Sequence, residues 1–312
     1  MNHNLFGTVD LSKEIRCFVY HDEREIPKRW LYHGFLFVPI VFKKHLIDTL
    51  EKERAASTWE KEIRFSNLKD TRTMNNLAIR WTNLFCNSLH DNTYFYLLGV
   101  NYTNLAKDLW NTKTKDFKIY NRFFQIGLYA AIKWFFLNQN AGFKKVVIQN
   151  IFSDAKSRTP QDKFHSQPIK DMIFKKVIKD EPITFTFRGL TITEVDSNHN
   201  AETKYEDESH IIQYVDLLIG GISQVLDNTS NHEGKCKVAE ILVNAEIPKR
   251  IMGGKKFKSI YYKKYAVSFF PKNKLSKNEI IDKSISRQKN QFYDERILNF
   301  CNRDQLNLLE SC

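Results

Sequence analysis

The chain of 312 residues is 42% hydrophobic and 13% aromatic, enough apolar material for one large packed domain or two modest ones, which excludes disorder as its main state. With 11 Gly, 7 Pro and no sustained heptad, collagen-like, linker-like and coiled-coil architectures are excluded as well. Its 48 Lys and Arg exceed 36 Asp and Glu for a net charge of +12, which points to a polyanionic partner without identifying it.

In chain order, Ile15 to Tyr20 is a β-branched and aromatic run that reads as a strand ending in Asp22 and Glu23. A second run from Tyr32 to Phe42 suits an antiparallel neighbour, with Pro39 at an edge or strand end. His45 to Ala56 has the period of a helix, Glu62 to Phe65 that of a short strand, and Met74 to Leu89 again that of a helix. Thr93 to Val100 predicts a third strong strand. A long apolar helix over Tyr120 to Asn138 leads through Gly142 into a buried strand from Lys144 to Asn150, an alternation of βαβ type. Ile169 to Lys179 reads as a helix, Ile183 to Phe187 and Leu190 to Val195 as strands, and Ser209 to Asp227 as the clearest helix, with Ser209 as its N-cap. The first 230 residues therefore form a mixed α/β domain.

Beyond residue 231 the character changes. Lys249 to Lys289 holds thirteen Lys or Arg against two acids, so nearly all of the excess positive charge belongs to this basic C-terminal extension, 231–312. There Lys255, Lys256, Lys258, Lys263 and Lys264 alternate with Phe257, Tyr261, Tyr262 and Tyr265, a mixture of cations and rings that suits a nucleic-acid backbone with stacked bases, or equally a solvated strand face.

Five widely spaced cysteines, Cys17, Cys86, Cys236, Cys301 and Cys312, show no zinc-ligand spacing, and their odd number argues against a disulfide framework. The first residues lack a basic and an apolar leader region, and the apolar stretch near Leu128 to Leu137 is interrupted by Lys133, so the expectation is a cytoplasmic protein without a membrane partner. Glycine-rich phosphate loops, a His-Glu-x-x-His helix and a Gly-x-Ser-x-Gly elbow are all missing from the sequence. Nine histidines are scattered; His21, His165, His199 and His210 are each either a general base or an ordinary polar residue.

The strongest chemical signal is a set of acids at the ends of predicted core elements: Asp22 and Glu23, Glu62, Asp154, Glu194 and Asp196, with Asp216 inside the last clear helix. Taken singly, each reads as a surface loop residue. Gathered at one sheet edge, they would repel one another unless a hard dication such as Mg²⁺ or Mn²⁺ were bound. Asp216 stands apart because it is the sole charge between Ile211 and Gly221, in a stripe with Gln213, Gly220, Ser223 and Asp227 that is either the wet side of an amphipathic helix or a site. The pair Gly220 and Gly221 costs about 1 kcal/mol per residue in a helix unless close packing requires it.

The order of these motifs resembles the domain-of-unknown-function 3800 proteins. Phe18-Val19-Tyr20-His21-Asp22-Glu23 is similar to that family's opening strand, Glu62-Ile63-Arg64 to its Glu-apolar-Lys element, and Asp196-Ser197 to its Asp-Ser pair. Gln213-Tyr214-Val215-Asp216 with the small residues that follow looks like its Gln-Leu-Ala-Asp. The resemblance covers roughly Ile15 to Asp227. It departs at Arg24 and Glu25, where the family has a small residue and Gly, and at Asn150, where the family has an Asp that here only Asp154 can supply. The resemblance implies a ribonuclease H-like mixed sheet flanked by helices and a metal-dependent nuclease in a mobile-element or phage-defence setting. The resulting expectation is a phosphodiester hydrolase in which Asp22, Glu62, Asp154 and Asp216 hold Mg²⁺ or Mn²⁺, with Glu23 and Asp196 as reserve ligands and DNA or RNA as partner. The alternative is a catalytically decayed nucleic-acid-binding or scaffolding subunit of a larger complex.

Overall fold

The computed structural model describes residues 14–26, 30–69, 72–101, 116–136, 143–155, 162, 164, 184–189, 191–198, 206–227, 230–244 and 265–270. Its centre is a mixed sheet of seven strands flanked by helices on both faces, in the order β5-β4-β1-β2-β3-β7 with β6 also on β4. These strands are β1 (Glu14–Ile26), β2 (Trp30–Pro39), β3 (Tyr94–Asn101), β4 (Lys145–Asp154), β5 (Thr184–Phe187), β6 (Ile192–Val195) and β7 (Tyr265–Phe270). β1, β2 and β3 form an antiparallel meander, β4 runs parallel to β1, β5 and β6 run parallel to β4, and β7 runs parallel to β3.

Strand β2 shows why this sheet is buried on both faces. Trp30, Tyr32, Leu36 and Val38 point into one core, while Leu31, Phe35 and Phe37 point into the other, as the two-residue period of a strand requires. The first core is closed by helices α1 (Ile40–Ser57), α2 (Arg72–Asn87), α4 (Glu206–Asp227) and α5 (Glu233–Asn244), the second by α3 (Asp116–Phe135). Helix α4 is apolar nearly all round because it lies on β1 and β2 while α1, α2 and α5 cover its flanks.

Several sequence expectations shift in detail. The second strand stops at Pro39, not Phe42: proline has no N–H for the ladder, and the next residues, Ile40 and Val41, are 42% and 70% exposed and open α1. Ser209 is not the N-cap of α4. The helix starts at Glu206, which leaves Ser209 buried within its first turns while Glu208 pairs with Lys43. The expected strand at Glu62 to Phe65 is an irregular segment ending in a short 3₁₀ turn, Phe65–Asn67. Its backbone is held by side chains of α4 and not by a ladder.

Strand β4 is longer than its sequence run suggested and reaches Asp154. Between Cys17↔Ile148 and Val19↔Ile151 it takes three steps against two on β1, which is a bulge at Gln149 and Asn150. The Asn150 amide fills the gap: its Oδ1 accepts from Ile151 N at 3.0 Å and its Nδ2 donates to Thr193 Oγ1 at 2.8 Å. The same bulge splits the outer strand, with β5 pairing to the first half of β4 and β6 to the second. Asn150 is thus a joint of the sheet, and the acid at the strand end is Asp154.

Of the expected extension from 231, α5 and β7 are described; α5 packs on α2 and α4, and β7 extends the sheet beside β3. The basic residues Lys255, Lys256, Lys258, Lys263 and Lys264 lie outside the described residues, as do the helix expected over 169–179 and both His165 and His199. Among the described residues no helix is long and apolar enough to cross a membrane.

Candidate functional site

The register of the sheet places the site. Asp22 of β1 lies opposite Gly34 of β2, and a Cβ at Gly34 would sit 2.5 Å from the Ile219 side chain, so a larger residue would force Ile219 to move where α4 packs on the sheet. Asp216 is one helical turn before Ile219 and is thereby carried to the Asp22 end of β1. On the same helix, Gly220 admits the ring of Phe65, and Gly221 packs on Val238 and Leu242. Close packing on both sides explains the glycine pair.

The segment 61–65 is fastened to α4 by two acceptors three residues apart. Gln213 Oε1 accepts from Ile63 N at 3.1 Å, and Asp216 Oδ2 accepts from Phe65 N at 2.5 Å. Gln213 also receives Arg54 Nη2 at 2.6 Å and donates from Nε2 to the Ser197 carbonyl at 2.7 Å. Arg54 in turn donates to the carbonyls of Trp59 and Lys61 at 3.3 and 2.6 Å and lies over Trp81. Burial pulls its pKa down to about 10. Sequence reading missed Arg54, although the signal is present: it continues the apolar stripe Leu46 and Leu50 at a spacing of four, a cation where a core residue is due.

Around this anchor opens a cleft of about 240 Å³ lined by Asp22, Glu23, Glu25, Glu62, Asp154 and Asp216, with Arg24 and Arg64 as the cations and Ser197 and Gln213 among its polar groups. The structure therefore brings together Asp22, Glu62, Asp154 and Asp216, which come from β1, the 61–65 segment, the end of β4 and α4. Glu23 borders the cleft, but its side chain turns with that of His21 to the other face of β1, where Oε2 accepts from Tyr120 Oη at 2.6 Å and lies 4.0 Å from His21 Nδ1, so it does not face Asp216. Asp196 does not line the cleft: it is exposed and its Oδ1 accepts from Asn198 N at 2.8 Å in a local turn.

Electrostatics within the cleft are uneven. Glu62 Oε1 accepts from Arg64 Nε and from Ser197 Oγ, each at 2.6 Å. Burial pushes the Asp154 carboxyl up to about 6, with Asp216 and Glu62 adding repulsion, against the pull of Ser197 and Arg64; its Oδ1 is buried without a hydrogen-bond partner. Asp216 is also raised, by burial first and by Glu62, against the Phe65 N–H, Arg24 and Arg64. Two carboxyl groups that resist ionising in one cleft, one with an orphaned oxygen, form a hard-oxygen donor set whose charge a dication would relieve, and on donor chemistry they fit Mg²⁺ or Mn²⁺. As placed, no three acid, His or Cys side chains among the described residues stand close enough to hold an ion jointly.

His21 does not serve the cleft. It alternates to the other face of β1, where Nδ1 meets Ser153 Oγ at 2.9 Å and Nε2 meets His33 Nδ1 at 3.0 Å, boxed in by Phe35, Tyr120 and Phe124. Burial lowers the His33 pKa to about 3, so that imidazole stays neutral. His210 is buried beside Trp81, with Nε2 3.7 Å from Glu51. Compared with protein-family models, with curated proteins and with solved structures, the chain matches none of them.

Proposed function

We propose that this chain is a divalent-metal-dependent nuclease that hydrolyses phosphodiester bonds in DNA or RNA. The observation that carries the reading is the convergence of Asp22, Glu62, Asp154 and Asp216, from four separate elements, on one cleft in which Asp154 and Asp216 are kept from ionising freely. A ribonuclease H-like fold is supported by the antiparallel β1 to β3 meander, the parallel placement of β4 beside β1, and the seating of the acids on β1, on β4 and on the helix packed against them. The motif order that resembles the domain-of-unknown-function 3800 proteins points the same way, and the phage-defence or mobile-element setting rests on that resemblance alone.

In this reading Asp22, Glu62, Asp154 and Asp216 would hold Mg²⁺ or Mn²⁺, which supplies Lewis-acid activation of water and charge stabilisation at the leaving oxygen. The chain's own residues do the rest. Asp154, raised to about 6 with a buried Oδ1 that has no hydrogen-bond partner, is the carboxyl whose ionisation a bound dication would favour most. Arg64, bonded to Glu62, stands where developing negative charge on a phosphate can be met. Gln213 and Arg54 hold the loop that presents Glu62.

The test is cleavage of labelled DNA and RNA by purified protein in Mg²⁺ and Mn²⁺. Activity that disappears in Asp22→Asn and in Asp154→Asn supports the reading. Intact substrates, or cleavage that survives both substitutions, would end it. A second reading, a nucleic-acid-binding or scaffolding subunit without catalysis, draws on the Arg64 to Glu62 pair, which occupies one carboxylate. Calorimetry separates the two, because nucleic-acid binding with no heat of Mn²⁺ binding at millimolar concentration favours the scaffold.

A further inference from the structure

Six acids and two arginines line the cleft, so its field opposes the approach of any polyanion, and a nucleic-acid strand needs a counterweight close by. Among the described residues such a place exists on one side. Arg24 leaves β1 two residues after Asp22, and its Cζ lies 4.8 Å from the centroid of the Phe65 ring. Lys235, in the first turn of α5, puts Nζ 5.9 Å from the same centroid. The Phe65 ring is itself fully buried and so fixes where these cations stand.

A third cation is tied to the same corner by its backbone. The carbonyl of Lys69 accepts from Gly234 N at 3.2 Å and from Asn75 Nδ2 at 2.8 Å, which fastens the end of the 61–69 segment to the start of α5. A Cβ at Gly234 would come within 2.2 Å of the Asn75 amide, so the approach depends on glycine. The neighbouring acid on α5, Glu233, is drawn along the helix by Lys237. Burial lowers the Lys235 pKa and the nearness of Arg24 and Lys69 lowers it further, against the pull of Asp216. Arg24 and Lys235 thus stand at one ring, with the backbone of Lys69 tied to the start of α5 beside them and Asp216 as the acid that faces them from the cleft, so positive charge from three segments borders the acids.

We propose that Arg24, Lys69 and Lys235 form a phosphate grip that holds the backbone of a nucleic-acid strand alongside the acidic cleft. Lysine ammonium groups bind phosphate as point charges without base selectivity, while the Arg24 guanidinium adds a planar donor edge at the boundary with the acids. The proposal rests on the nuclease reading for the choice of a strand as the source of phosphate, and it adds the place where the strand lies.

The test is fluorescence anisotropy of a short labelled single strand, as DNA and as RNA, with EDTA present and salt varied. Lys69→Gln/Lys235→Gln should bind on the order of tenfold more weakly and show a log affinity against log salt slope smaller by about 1.4, since each phosphate contact on a single strand contributes about 0.7. Lys235→Arg, which keeps the positive charge, should retain most of the affinity that Lys235→Gln loses. Both lysines are at least partly exposed, so unchanged thermal unfolding of the double variant is expected and excludes misfolding as the cause. Equal affinity and slope for wild type and the double variant would overturn the grip, as would displacement of the strand by micromolar inorganic phosphate, which would make the site one for a small phosphorylated ligand. The two proposals fail separately: cleavage in Mn²⁺ with binding indifferent to the lysines removes the grip alone, and lysine-dependent binding without cleavage removes the nuclease alone.

Discussion

A Cβ placed on Gly220 would lie 2.0 Å from Cγ of Phe65, so the 61–65 segment and helix α4 meet where no other residue fits. The same contact brings Phe65 N to Asp216 Oδ2. Gly220→Ala, which by helix propensity alone should stabilise α4 by about 1 kcal/mol, is expected to destabilise the protein by about 1 to 3 kcal/mol and to loosen the segment that carries Glu62. Chemical denaturation with the tryptophan signal of the fold as probe measures the sign; a stabilised variant would show that the Phe65 contact is absent.

Gln213 serves Arg54, Ile63 and Ser197 at once. Gln213→Leu keeps the volume but leaves the Arg54 guanidinium and the Ile63 N–H without their acceptor in a buried setting, and should cost about 2 to 4 kcal/mol. Gln213→Glu retains that acceptor and should cost less. If the order of the two unfolding midpoints is reversed, the side chain is not the clamp.

For Asp154 the folded pKa of about 6 lies above the ordinary 3.8, so between those values the folded chain holds a proton that the unfolded chain has released. Its contribution to stability is fully present below the lower value and is lost as pH rises towards 6. Asp154→Asn cannot lose a proton. Relative to wild type it should gain stability between about pH 4 and 6 and keep up to about 3 kcal/mol of that gain at neutral pH. Urea unfolding across this range measures the difference curve. Millimolar Mn²⁺ should then raise the melting temperature of wild type and leave Asp154→Asn nearly unmoved, and a flat difference curve would contradict the burial of this carboxyl.

Asn150 joins β4 to β6, so Asn150→Ala should cost about 1 to 2 kcal/mol and hasten amide exchange at Ile192 to Val195. Asn150 does not line the cleft. Asn150→Asp, which would restore the acid that the resemblance expects at this position, should therefore leave Mn²⁺ affinity unchanged in calorimetry. A tightened affinity would place the residue in the site after all.

The sheet and most helices were legible in the sequence because their signal is local. The β-branched and aromatic runs of β1, β2 and β3, the last two buried along nearly their whole length, and the long apolar stripes of α3 and α4 mark their own element type and burial. Asp22, Asp154 and Asp216 could be picked out for the same reason, as charges at the margin or in the middle of apolar runs. What no local pattern records is how elements far apart along the chain satisfy one another. Glu62 to Phe65 has the composition of a strand, yet its N–H groups bond to Gln213 and Asp216, about 150 residues away, and so it is a loop pinned to a helix. Asp196 has the composition of a ligand, yet its turn directs it to its own backbone. Sequence alone determined which segments are buried and which acids are unusual, since these follow from hydrophobic period. Only the tertiary structure decided which acids share a cleft and which cations flank it, because those depend on glycine-sized approaches and long-range hydrogen bonds whose partners are adjacent in space and not along the chain.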